Sequence, residues 1–324
     1  MKKLLSLIAL LVVNIANAGT FDKFMISPWT TQGNTQNYFG IIYFEGSFKT
    51  LPLDYLCKLR KSNPDQFQMV DQEGGDVVRI RNLKYLPPAP IFARGLGSKR
   101  FRWTMTYASR ELASTCINMN LAPIADTDYK DNDNTRAYSK NPFEVNEYAS
   151  IFANEMRTQA ITPTWKHFPG YSKNSRSMDI YDYRYSQNYK HGFKENSVDY
   201  STIEEIQKNM QSFKNNNYDM LMLNYGVFEK LGPIPVLFNK SVIDSARKIQ
   251  PNSLLMTDDV SFLRLNDEMI LYLFENVDIY LFSDYRDSVE FNKKLERLSY
   301  EGKITNEQII AKYKRLKNWR EHQK

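Results

Sequence analysis

Short apolar runs recur along this chain of 324 residues at intervals that leave room for one helix between neighbours, and this alternation limits the architecture more than any other feature. Gly40 to Phe44, Phe67 to Val70, Leu121 to Ala125, Ile161 to Trp165, Met220 to Leu223, Ser253 to Met256 and Asp278 to Phe282 read as strands buried on both faces, as in a parallel sheet. Helix starts fall between them. Asn141-Pro142-Phe143-Glu144, Ser201-Thr202-Ile203-Glu204 and Thr305-Asn306-Glu307-Gln308 each set a capping oxygen three residues before Glu or Gln, and Pro142 suits a first helical position. About seven or eight such βα units predict a (β/α)8 barrel, a single TIM-barrel-like domain of the α/β class. A doubly wound sheet fits less well, because no glycine-rich phosphate loop opens a helix. No linker rich in Pro, Gly or Ser, no repeat and no low-complexity block divides the chain.

Residues 1–18 stand apart from that pattern. Lys2 and Lys3, the apolar run Leu4 to Val13 and the small-residue site Ala16-Asn17-Ala18 are the three parts of a secretory signal, so the barrel is expected over residues 19–324. The apolar run is too short for a membrane span, no cysteine at the cleavage site calls for a lipid anchor, and no later stretch of about twenty apolar residues follows. The expectation is a protein exported to the periplasm or secreted, monomeric, with no stable membrane insertion after cleavage. Cys57 and Cys116 are the two cysteines; an exported chain could join them, but two residues make no disulfide framework, and Cys116 in its apolar-periodic segment reads as a buried free thiol. The formal charge of +6 includes Lys2 and Lys3. In the C-terminal run, Lys312, Lys314, Arg315, Lys317 and Arg320 alternate with Ile310, Tyr313, Leu316 and Trp319 as a solvated helix face would, so no nucleic-acid partner is expected.

Polar residues collect just after the predicted strands: Asp71-Gln72-Glu73, Asp126-Thr127-Asp128, Lys166-His167, Asn224-Tyr225, Asp258-Asp259 and Ser283-Asp284. In a barrel these strand ends share one face, where active sites are built. Asp128 and Ser283-Asp284 read as capping or solvation. The other clusters mix carboxylates, cations and an imidazole, which suits sugar hydroxyls that need both donors and acceptors. Asp126, Asp128, Asp131 and Asp133 could also offer oxygen ligands to a cation, but acidic surface loops of that kind have no fixed geometry, and no metal or organic cofactor is expected.

Val70-Asp71-Gln72-Glu73-Gly74-Gly75-Asp76-Val77-Val78-Arg79, Leu121-Ala122-Pro123-Ile124-Ala125-Asp126, Lys166-His167-Phe168-Pro169-Gly170 and Thr257-Asp258-Asp259-Val260-Ser261 resemble, in order, the signatures of glycoside hydrolase family 3, and within it the bacterial β-N-acetylglucosaminidases. The resemblance covers roughly residues 38–285. It implies that Asp71, Arg79, Arg136, Lys166 and His167 hold the hydroxyls of a sugar and that Asp258 is the nucleophile of a retaining exo-glycosidase. The implied substrate is a glycan with terminal β-linked N-acetylglucosamine, from peptidoglycan fragments or chitin-like oligosaccharides. Asp259 reads as a cap or loop-orienting residue, since successive strand residues point to opposite sides.

The chain departs from that family where the acid/base should stand. Relatives carry Asp-Ser-His a few residues after Lys-His-Phe-Pro-Gly, whereas this chain reads Tyr171-Ser172-Lys173-Asn174-Ser175-Arg176-Ser177-Met178-Asp179. Counting forward makes Asp179 the acid/base, provided its pKa is raised. Counting back from Phe213 leads to the vicinity of His191, which titrates near neutral pH but would need a carboxylate from Asp179, Asp182 or Asp199 to orient it. Tyr181 to Tyr189 alternates aromatic with polar residues, as either a lid over the substrate or a hairpin packed on the barrel rim. Asn224-Tyr225 stands where many relatives have a histidine. The competing reading is a sugar- or cell-wall-binding protein that kept the pocket and lost the acid/base dyad.

Overall fold

A computed structural model describes residues 19–31, 33–83, 86–127, 136–175 and 198–323, with only the backbone given for residues 53 and 262. Eight parallel strands form a closed barrel: β1 (Met25–Pro28), β2 (Gly40–Tyr43), β3 (Phe67–Val70), β4 (Met119–Asn120), β5 (Thr162–Phe168), β6 (Met220–Leu223), β7 (Leu254–Asp259) and β8 (Ile279–Leu281). Each pairs with its neighbour in sequence, and Met25 of β1 lies beside Tyr280 of β8 to complete the ring. Around them run α1 (Leu53–Ser62), α2 (Gly97–Ser114), α3 (Pro142–Arg157), α4 (Ile203–Met210), α5 (Lys240–Ile249), α6 (Asp267–Asn276), α7 (Tyr285–Tyr300) and α8 (Asn306–Glu321). The predicted (β/α)8 architecture is therefore present, with the strands buried throughout except Pro28.

Several local expectations shift. The short strand β1 escapes the apolar pattern because Ser27 and Pro28 interrupt it, and no α-helix connects β1 to β2 among the described residues. Regular pairing of β4 ends at Asn120, before the expected run Leu121 to Ala125; Pro123 has no N–H to donate, and that run continues through single bonds and the bridge Ile124↔Lys166. Asn141 caps α3, and the Thr305–Gln308 capping box is complete. For α4 the cap is Thr202 with Glu205, one residue beyond Ser201-Glu204, because the Ser201 hydroxyl is engaged 2.9 Å from that of Ser172.

Cys57 and Cys116 are joined, against the expectation of a buried free thiol. Cys57 lies in α1 and Cys116 in the turn from α2 to β4, so the adjacent strands β3 and β4 bring their flanking segments together, with the two Cα atoms 5.1 Å apart. The basic C-terminal run is a second correction. Lys314 and Lys317 are exposed, but Lys312 is buried among Phe24, Phe274 and Tyr280, its ammonium donating to the carbonyls of Phe274 and Val277. Arg320 lies over the rings of Phe39 and Phe67. The helix thus presents its cations inward as well as outward, because α8 covers the floor of the barrel: Trp319 packs on Phe39 and Phe67, and its indole N–H donates to the Asp219 carbonyl just before β6.

Candidate active site

At the opposite end, where the strands finish, the chain after β3 explains nearly every residue of its motif. Gln72–Gly74 pairs antiparallel with Val77–Val78, folding Arg79 back toward Asp71, with 3.7 Å between guanidinium and carboxylate. Gln72 holds that hairpin: its side-chain oxygen accepts from the backbone N–H groups of Arg79 and Ile80 at 3.0 and 3.2 Å. Gly74 and Gly75 turn it at φ of 108° and 58°, and a side chain on Gly74 would meet Leu86 at 2.9 Å.

Glu73 is the hub of the charges. Its carboxylate accepts from Arg136 in fork geometry at 2.9 and 3.0 Å and meets the Lys166 ammonium at 2.7 Å. Lys166 reaches Asp71 at the same 2.7 Å, so two carboxylates share one buried cation. Burial pushes Glu73 up, yet Arg136 and Lys166 outweigh it and bring its pKa down to about 2. Burial likewise pulls Lys166 down, but Asp71 and Glu73 prevail and hold the ammonium above the usual lysine value.

His167 is positioned from behind. Its Nδ1 lies 2.8 Å from one oxygen of Asp126, whose other oxygen accepts from the backbone N–H groups of His167 and Tyr171. That arrangement leaves Nε2 as the nitrogen to meet a ligand. Both Lys166 and His167 line the cavity although they are successive residues, and here β5 slips its register against β6 between Trp165 and Phe168. The Lys166–His167 peptide bond is cis, as are Ala122–Pro123 and Phe168–Pro169.

The same irregularity recurs opposite. β7 slips against β8 between Met256 and Asp259, and both Asp258 and Asp259 line the cavity, where strict alternation would turn one away. Asp259 acts as the predicted cap, accepting from the N–H groups of Ser261 and Ser283 at 2.9 and 3.0 Å. Among the described residues Asp258 accepts one hydrogen bond, from the N–H of Asp259 at 2.8 Å. Burial raises the Asp258 pKa, partly offset by the charges of His167 and Lys166. Burial also lifts Asp259, to about 6.

One cavity of about 500 Å³ is lined by Asp71, Arg79, Arg136, Lys166, His167 and Asp258 together, which brings six sequence-selected residues from the ends of β3, β4, β5 and β7 into one place. Its volume suits a sugar unit and part of a neighbour. His191, Asp179 and Asp182 lie outside the described residues, as do Tyr181 to Tyr189 and Asp128, Asp131 and Asp133. Asp199 accepts from Ser172 and Ser175 at 3.2 and 2.5 Å and from the N–H of Ser201, tying residues 172–175 to 199–201. Asp126 is committed to His167, which argues against a role as a cation ligand.

Sequence reasoning grouped Glu73 and Tyr225 with the strand-end clusters without giving either its own role, read Ser283 as capping or solvation, and passed over Tyr171 and Glu45; all five line the cavity. Glu73 sits inside the selected motif and was legible there. Glu45 is braced by a bidentate pair with Arg81 that no spacing signals. Ser283 donates its backbone N–H to Asp259 and to the Ser261 hydroxyl, each at 3.0 Å. Asn224 turns its side-chain oxygen to the N–H of Gly226, and Tyr225 takes the place on the wall.

Residues 61–319 match the model for the Glycosyl hydrolase family 3 N terminal domain. A beta-hexosaminidase of Methylococcus capsulatus is 30% identical over 143 residues, a stretch that makes up 41% of this chain and 42% of that protein. One from Photobacterium profundum is 37% identical over 108 residues, 32% of this chain and 31% of that one. The matched stretches thus span well under half the length of these relatives. Among solved structures, LpqI of Mycobacterium tuberculosis superposes with a TM-score of 0.75 at 18% identity, covering 92% of both chains. The β-N-acetylglucosaminidase of Thermotoga maritima gives 0.76 at 17% identity, covering 92% of this chain and 66% of that one. At those identities the superpositions speak for the barrel.

Proposed function

This chain belongs to glycosyl hydrolase family 3, and from that premise we propose that it is a retaining exo-glycosidase removing terminal β-linked N-acetylglucosamine from peptidoglycan fragments or chitin-like oligosaccharides. The observation that carries the reading is the position of Asp258: a buried carboxylate with one hydrogen bond among the described residues, in the same cavity as the Lys166–Asp71–Glu73–Arg136 network. Asp71, Arg79, Arg136, Lys166 and His167 bind the hydroxyls of the terminal sugar. Asp258 attacks its anomeric carbon, the glycosidic C–O bond breaks, and the leaving oxygen takes a proton from His191 or, failing that, Asp179. Water then cleaves the glycosyl-enzyme, returning the configuration to β. No step calls for a metal or organic cofactor. Residues 1–18 act as a removable export signal and residues 19–324 as one catalytic domain in the periplasm or outside the cell.

Hydrolysis of an aryl N-acetyl-β-glucosaminide tests this. Wild type is expected to turn over, Asp258→Asn to lose at least a hundredfold in kcat, and His191→Ala to lose more than Asp179→Asn. Binding of N-acetylglucosamine without turnover by wild type would favour the rival reading of a binding protein that lost its acid/base. Loss on Asp179→Asn alone would reassign the proton donor.

A further inference from the structure

α2 carries apolar residues on two opposite faces, and the barrel uses one of them. Phe101, Met105 and Leu112 are buried inward. Leu96, Arg100, Trp103, Tyr107 and Arg110 follow a helical spacing on the other side, where Leu96 is 48% exposed, Trp103 51% and Tyr107 43%. Ile91, just before, is 46% exposed. The rings of Trp103 and Tyr107 lie 4.8 Å apart, with the Arg100 guanidinium 5.1 Å from the Trp103 ring centre.

Charge decides what this stripe could face. Between Asp76 and Glu111 the sequence has no carboxylate, while Arg94, Lys99, Arg100, Arg102 and Arg110 are all exposed. Arg102 pairs with Glu155; no ion pair among the described residues engages Arg94, Lys99, Arg100 or Arg110. A second copy of this face would repel it, and a polyanion would leave Ile91, Leu96 and Trp103 in water. Cations interleaved with Trp, Tyr and aliphatic side chains match a bilayer boundary, where phosphate headgroups take the cations and the acyl margin takes the apolar tips.

We propose that the outer face of α2 is a docking surface for an anionic phospholipid membrane, which the protein binds peripherally. No helix among the described residues is long and apolar enough to cross a membrane, so the contact is superficial. This surface is separate from the cavity and stands whether or not the protein hydrolyses glycans.

The test is co-sedimentation of the full chain with phosphatidylglycerol–phosphatidylcholine vesicles and with pure phosphatidylcholine vesicles. Wild type is expected to bind the anionic vesicles, less at high salt, with a blue shift of tryptophan emission, because Trp165 and Trp319 are buried and Trp103 is the most exposed indole. Trp103→Ser/Tyr107→Ser and Lys99→Glu/Arg100→Glu are each expected to lower the partition coefficient by roughly tenfold or more. Both pairs are on the surface, and unchanged thermal unfolding verifies their folding. Every protein compared carries the same residues 1–18, so binding due to that apolar segment persists in the variants. Equal binding by wild type and variants overturns the proposal, as does an absence of binding to anionic vesicles. Tight, variant-sensitive binding of heparin without binding to vesicles overturns it in favour of a polyanion site.

Discussion

Glu73 shows how one side chain can set the electrostatics of a pocket. It contacts both Arg136 and Lys166 and itself lines the cavity. Glu73→Gln leaves two cations partly unpaired; the expected outcome is a loss of about 3–5 kcal/mol in stability, read by thermal unfolding, and a raised KM for an aryl N-acetylglucosaminide. Asp259 behaves in the opposite sense. Its pKa rises from 3.8 to about 6, so between those values the folded protein keeps a proton that the unfolded chain has released, and stability falls as pH rises through that window. Near pH 7 the ionised group costs on the order of 3 kcal/mol. Asparagine retains an acceptor for Ser261 and Ser283 without the charge. Asp259→Asn is therefore expected to melt above wild type near pH 7, with the difference closing near pH 4; parallel melting curves across that range would refute it.

Among the elements, the strands whose apolar pattern is unbroken were legible in the sequence: β3 and β6 fall where Phe67 to Val70 and Met220 to Leu223 predict them. β1 was not, because Ser27 and Pro28 carry no periodic signal and its place is fixed by pairing with strands at both ends of the barrel. The site residues were legible because each lies at or beyond the end of an apolar run that predicts a strand, and a barrel gathers strand ends. What sequence could not supply was which neighbours share a face, since the slips in β5 and β7 depend on pairing with β6 and β8. The disulfide was hidden for a similar reason: Cys57 and Cys116 are 59 residues apart and meet through the adjacency of β3 and β4. Closing so long a loop restricts the unfolded chain by up to about 4 kcal/mol. Cys57→Ala/Cys116→Ala is expected to lower the melting temperature under oxidising conditions and to be indifferent to reductant, whereas wild type should fall toward it when reduced.

At the scale of the molecule, the barrel separates its tasks by end and by flank. The floor is closed by Trp319 and a helix that turns cations inward, the mouth holds the charged cavity, and the outer face of α2 offers cations and rings to the surroundings. The pairing of Met25 with Tyr280 bears on how such a chain comes into being. A ribosome must finish nearly the whole barrel before its first strand can find its last, and until then the growing sheet carries two bare edges that invite misassembly. On the export route proposed above, this late meeting would be useful: a barrel that cannot close early remains threadable and would complete itself on the far side of the membrane.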